Sequence, residues 1–368
     1  MAFEFRNLDE STIDAVEPVI AERFCPAAFA QVRRLLANPA RSAGDDVGVV
    51  VFDGERVVGV TGSIVRRLYV GSDGFVGING GFLAMRRDAP VTLLYGLMKQ
   101  AHRPRFGSSL FYSNTCSPAT VKIKPCVGVG NHGPDSWSAV RFARLRRYPS
   151  FRRRVKRGLG IGLPERLPFS AAPVSPLECV RTRRRFAADE ASGLVVTACS
   201  DFEWADLFFD MYLLSNRGVV GSRSTAELTW CFGDVVASGS GLALVAESSN
   251  GVMGYLVAAP CPFDASRWSV VDAIALRNDR KTLSLLFEAA KKAVLACSAA
   301  ERLEVIGFPA WIQREISRAF PLSRPTPCNG FMWGFSDAEM SKKCGVLADS
   351  EKGWFFGPYD GDYCLCVQ

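Results

Sequence analysis

The sequence predicts an α/β protein built from two similar units in tandem. Three observations carry this expectation. The order helix, β-hairpin, strand, helix, strand, helix, strand occurs twice along the chain. Each hairpin is marked by a turn dipeptide between β-branched runs, Asp53-Gly54 in "VVVFDGERVVGVTGSIV" and Asn250-Gly251 in "ALVAESSNGVMGYLVA". Between the two passes lies "RGLGIGLPERLPFSAAPVSPLE", whose glycines and four prolines read as an irregular connector. A chain of 368 residues is long enough for two domains. The expected boundaries are 1–160 for the first unit, 161–190 for the connector and 191–368 for the second.

In the first unit, Thr12–Leu36 has helical spacing of apolar residues. The hairpin follows, then the strand "FVGINGGFLAM" and a helix over Val91–Ala101. The strand "SLFYSN", a short helical stretch after Ser117-Pro118 and the strand "SWSAVRFARL" complete it. In the second unit, Phe202–Ser215 and Thr225–Phe232 are helical. Its hairpin precedes the strand "WSVVDAIAL", the amphipathic helix Lys281–Cys297, the strand "RLEVIGF", the helix Ala310–Phe320 and the strand "GFMWGFS".

Composition narrows the function classes. About half of the residues are apolar and mean hydropathy is near zero, as in water-soluble globular chains. The chain has no apolar run of membrane-spanning length, and "MAFEFRNLDES" at its start lacks the pattern of a secretory leader. A cytoplasmic protein, with free thiols among its 12 cysteines, is expected. No CxxC occurs and there are two histidines, so no metal site is expected. Charge is uneven: Arg141–Arg185 carries a local net of +12, against +7 for the whole chain. Its first 17 residues, "RFARLRRYPSFRRRVKR" (Arg141–Arg157), hold nine basic side chains with Phe142, Tyr148 and Phe151 among them. Such a segment suits tRNA, through phosphate contacts and base stacking, or an anionic membrane surface to which the protein binds peripherally. It equally suits a solvated basic strand and linker.

The element order resembles the GNAT acyltransferase superfamily. The two hairpin runs are similar to that family's second and third strands, and "FYSNTCSPATVKI" to its fifth strand and fourth helix. "SRSTAELTWCF" and "WFFGPYDGDYC" resemble pieces of bacterial proteins with two GNAT-like domains, associated with surface polysaccharide or peptidoglycan pathways. The resemblance implies two tandem GNAT-like domains, each a mixed twisted sheet flanked by helices. It implies acyl-CoA as donor, lying where the fourth and fifth strands splay, with pyrophosphate at the start of the next helix. The acceptor implied is an amine or hydroxyl of a sugar or cell-envelope precursor, a small molecule or lipid-linked. The family's glycine-rich donor loop is replaced here by "RRDAPVTLL" and "RNDRKTLSLL". Arg86, Arg87, Arg277, Arg280 and Lys281 supply charge there without the close backbone approach that glycine permits, and their loops equally suit plain helix capping. Asn114, closing the fifth strand, joins them as a donor-site candidate.

Two other readings share these residues: a Fem-type transferase taking its acyl group from aminoacyl-tRNA, and a non-catalytic pseudo-acyltransferase that binds ligand only. For chemistry, Asp272 within the apolar strand "WSVVDAIAL" is the leading candidate base, because burial raises a carboxyl pKa. A pairing with a nearby arginine is its structural alternative. Glu247 at the end of "LALVAE" is the second candidate. Asp360 and Asp362 in "YDGDY" are a third, with Asp360-Gly361 reading as a turn. The second unit is therefore expected to be catalytic and the first to shape the acceptor cleft. Neither Ser117–Lys124 nor Ala310–Phe320 contains the tyrosine that GNAT enzymes commonly use as general acid.

Overall fold

The computed structural model describes residues 3–24, 28–42, 45–101, 110–116, 131–132, 139–144, 175–261, 264–297, 300, 302–306, 309–320, 325–327, 330–335, 339, 341–342, 344, 353–356 and 358–360. The strands, in chain order, are β1 (Phe3–Asn7), β2 (Gly48–Asp53), β3 (Arg56–Val70), β4 (Asp73–Met85), β5 (Leu110–Cys116), β6 (Asn131–His132), β7 (Ala139–Arg144), β8 (Arg185–Asp189) and β9 (Leu194–Cys199). They continue as β10 (Val219–Gly221), β11 (Leu242–Ser248), β12 (Gly251–Cys261), β13 (Asp264–Ala275), β14 (Arg302–Ile306), β15 (Pro325–Pro327), β16 (Gly330–Phe335) and β17 (Trp354–Phe355). The α-helices are α1 (Glu17–Arg23), α2 (Ala28–Arg34), α3 (Val91–Ala101), α4 (Pro176–Arg181), α5 (Ala205–Ser215), α6 (Thr225–Ala237), α7 (Arg280–Cys297) and α8 (Ala310–Ala319).

Both hairpins form, each turn one residue away from the expected dipeptide, at Gly54-Glu55 and Ser249-Asn250, with Gly54 and Gly251 in positive φ, where a side chain would be strained. The strands assemble into two mixed sheets. One runs β1-β2-β3-β4-β5-β16-β6, with β10 added beside the end of β3 and β17 beside β10; the other runs β15-β7-β14-β13-β12-β11-β9-β8. The halves exchange strands. β16, late in the chain, pairs with β5 in the first sheet, and β7, early in the chain, pairs with β14 in the second. Residues 161–174 of the expected connector lie outside the described residues, while its remainder holds α4 and β8; the helical stretch after Ser117 also lies outside them. The single helix expected over Thr12–Leu36 is instead two short α-helices flanked by 3₁₀ turns, with Pro18 taken into the first turn of α1, where its missing N–H costs nothing.

The apolar pattern accounts for the layers. β2 is buried on both faces, with α3 covering one side through Leu93 and Leu97 and α1 and α2 the other through Val19, Ile20 and Val32. In the second sheet, α7 buries Leu283, Leu286, Phe287, Ala290 and Val294. Among the described residues, no helix is long and apolar enough to cross a membrane. Cys179, Cys199, Cys231, Cys261 and Cys344 are free thiols.

Candidate functional site

Each sheet contains one fork. β4 pairs with β5 in parallel over Gly77–Asn79 and Leu110–Tyr112. Beyond that, β4 continues to Met85 beside β3, whereas β5 runs on to Cys116 beside β16, its neighbour on the other side throughout. In the second sheet β13 pairs with β14 over Arg267–Val270 and Arg302–Val305, then follows β12 alone to Ala275 while β14 follows β7. Each fork also carries a β-bulge. On β4, Gly81 and Phe82 together oppose Gly62 of β3, since Thr61 pairs with Leu83 and Ser63 with Gly80. On β13, Val271 is the extra residue between the Val257–Asp272 and Ala258–Val270 pairs. A bulge places one residue outside the regular ladder; at the first fork the Phe82 carbonyl there accepts from the Thr61 hydroxyl at 3.1 Å.

The forks differ in what fills them. Past the first divergence, Gly80, Gly81, Phe82, Leu83 and Met85 are all half-buried. Past the second, Val271 to Ala275 are fully buried. At the second fork stands Asp272, completely buried, accepting hydrogen bonds from the Arg223 guanidinium (3.3 Å) and the Tyr255 hydroxyl (2.5 Å). Arg223, also completely buried, spans to the Asp360 carboxylate with two bonds of 2.7 and 2.9 Å and donates to the Gly221 carbonyl at 2.6 Å. Burial alone would push the Arg223 guanidinium down, but the Asp272 and Asp360 carboxylates hold it well above its ordinary value. Burial first, then the Asp272 charge, push the Tyr255 phenol well above its usual range, so it remains a donor.

This cluster joins the two sheets. The Asp360 carbonyl accepts from the Tyr112 hydroxyl of β5 at 2.8 Å, and the Tyr359 carbonyl accepts from Arg66 of β3 at 2.6 Å. The Tyr359 hydroxyl donates to the Ser222 carbonyl at 3.0 Å, and its ring lies under both guanidinium groups, 4.4 Å from Arg66 and 4.7 Å from Arg223. A carboxylate inside an apolar strand needs a cation, and Arg223 meets that need; the pair is costly to break from one side.

The other candidate residues lie apart from this cluster. Glu247 pairs with Val252 and Asp272 with Val257 on β12, which puts them five residues, roughly 17 Å, apart along the sheet. Glu247 faces Arg183 at 3.3 Å on the surface. In the loop before α7, Arg277 and Asn278 take left-handed backbone, φ 55° and 52°. Asp279 then caps α7, accepting from the Thr282 N–H at 2.8 Å and its hydroxyl at 2.6 Å. Lys281 is ion-paired with Asp189 at 2.6 Å, while Arg277 is exposed and Arg280 half-buried. In the first loop, Arg86 donates to the Val57 carbonyl at 2.9 Å and faces Glu22 at 3.4 Å; the Arg87 N–H donates to Glu22 at 3.2 Å. The acid of this loop, Asp88, is held by Arg56 at 2.8 Å. Asn114 belongs to β5 by its backbone, and its side chain lies outside the described residues, as does the basic segment beyond Arg144. Among the described residues no cluster of His, Cys, Asp or Glu is arranged to hold a metal ion.

Sequence reasoning missed Arg223, Tyr255, Glu22 and the position of Asp360. The one signal for Arg223 was indirect: an acid inside "WSVVDAIAL" requires a cationic partner, but nothing in "VVGSRSTAEL" says which arginine supplies it.

No family model matches the chain, and no curated protein matches it in sequence. Solved structures do match it in shape. A conserved protein of unknown function from Enterococcus faecalis V583 superposes with a TM-score of 0.56 at 11% identity, over 91% of this chain and 72% of that one. A GCN5-related N-acetyltransferase from Kribbella flavida gives 0.52 at 15% identity, over 92% and 72%. A tandem GNAT protein from the clavulanic acid biosynthesis pathway gives 0.50 at 14% identity, over 91% of this chain and 99% of that one. These likenesses bear out the expected fold: two GNAT-type units in tandem, each a mixed sheet flanked by helices.

Proposed function

We propose that the protein is an acyl-CoA-dependent acyltransferase whose donor lies in the first fork. The observation that carries this reading is the contrast between the forks: β4 is half-buried past its divergence from β5, while β13 is sealed by Arg223, Asp272 and Asp360. A pantetheine chain needs an open strand edge, and a backbone N–H of the bulge at Gly81–Phe82 would meet the thioester carbonyl as it gains negative charge. The pyrophosphate would rest at the start of α3, near Arg86 and Arg87. Attack by the acceptor nitrogen or oxygen forms the new bond, the C–S bond breaks, and the thiol leaves with the proton the acceptor gives up. The second unit, expected to be catalytic through Asp272, is on this reading the structural half.

The acceptor remains the amine or hydroxyl of a sugar or cell-envelope precursor, small or lipid-linked. Binding of tRNA or an anionic membrane through Arg141–Arg157 rests on its nine basic residues; tRNA affinity that falls steeply with salt would favour the Fem-type alternative. Thermal melting with millimolar acetyl-CoA, longer acyl-CoAs and free CoA tests the donor. A ligand at about 100 times its Kd adds roughly 2.7 kcal/mol, so a rise of a few degrees is expected. No rise with any of them would leave the non-catalytic binding protein as the better account.

A further inference from the structure

We infer that the first donor loop is an anion site occupied by the chain's own carboxylate, Glu22, which the donor's phosphates displace. This rests on the proposed donor site and specifies how it is entered. Glu22, on the last turn of α1, accepts the Arg87 backbone N–H through one oxygen (3.2 Å) and the Arg86 guanidinium through the other (3.4 Å). A backbone N–H and a guanidinium converging on one carboxylate are also groups that bind a phosphate. Asp88, the loop's own acid, is turned toward Arg56, so it does not cap α3 in the way that Asp279 caps α7. The Glu22 contacts are at the long end of hydrogen bonding and partly solvated, with side-chain exposures of 29% for Glu22 and 22% for Arg86. A single carboxylate held this way is a weak competitor for a doubly charged pyrophosphate.

Displacement has a consequence for the neighbouring wall. Glu22 anchors the end of α1, and Phe24, one residue past that helix, sets its ring edge-on to Phe82 at 6.5 Å. Phe82 is a bulge residue at the reacting end of the fork. Donor phosphates that release Glu22 therefore free the last turn of α1 beside the Phe24–Phe82 contact, while Val19 and Ile20 keep the helix in the core.

Calorimetric titration of inorganic pyrophosphate and free CoA into the wild-type chain and Glu22→Gln tests this. The variant, whose neutral side chain competes less for Arg86 and the Arg87 N–H, is expected to bind both about three- to tenfold more tightly. In the wild type, CoA should raise amide hydrogen exchange over residues 17–24. If CoA binds both proteins equally, or the variant more weakly, the displacement is refuted while the donor site stands. If neither protein binds CoA or pyrophosphate, the donor site itself falls, and the inference with it.

Discussion

Arg223→Ala lowers stability by about 3–5 kcal/mol, because it leaves the Asp272 and Asp360 carboxylates buried without their cation. At roughly 2 °C per kcal/mol for a chain of this size, the melting midpoint should fall by about 6–10 °C. The loss should spread to both sheets, since Asp360 also accepts from Tyr112 of β5 and its neighbour Tyr359 from Arg66 of β3. Removing all three charges at once, as Arg223→Met with Asp272→Leu and Asp360→Leu, should cost less than Arg223→Ala alone, because no uncompensated charge remains. A midpoint within about 2 °C of wild type for Arg223→Ala would mean that the cluster is solvated and not a clasp.

The second large effect separates structure from donor binding. Asp272→Asn should lower stability by about 1–3 kcal/mol, since Arg223 and Tyr255 lose a charged acceptor. Its affinity for CoA should stay within about twofold, because ligand and residue lie in different forks. Gly80→Val should do the reverse. A Cβ at Gly80 would stand 2.7 Å from the Phe111 ring, which must then swing into the opening between β4 and β5. CoA affinity should fall by more than about tenfold, with a modest change in melting midpoint. Titration calorimetry on the two purified variants checks both. Loss of turnover with CoA affinity retained in a well-folded Asp272→Asn protein would restore Asp272 as the base.

Local pattern predicted much of this fold. Asp53-Gly54 and Asn250-Gly251 mark the two hairpins to within one residue, the turns being Gly54-Glu55 and Ser249-Asn250, and β-branched alternation on either side gives the strands. The strand exchange was not legible, because β7 and β16 read as strands whichever sheet they join; pairing partners are set by tertiary contacts that periodicity does not encode. At the site, Asp272 stood out because an acid in an apolar run needs an explanation, and both a base and a paired carboxylate supply one. The paired carboxylate is supported by the positions of Arg223, Tyr255 and Asp360, which come from three distant parts of the chain. Asp360 read as a turn residue from its Gly361 neighbour, and burial between the sheets gave it a different part. The absence of donor-loop glycines was plain in the sequence; that Glu22 and Asp279 stand at those loops as internal anions was not.

The central claim is that the first fork takes the donor and the second is closed. Amide hydrogen exchange with and without saturating acetyl-CoA tests it most directly, since it reports on each fork separately within the intact chain. Protection is expected over residues 77–95, covering the β4 bulge and the start of α3, with no change over residues 268–284. Protection over residues 268–284, with residues 77–95 unaffected, would contradict the account and return the donor to the second unit.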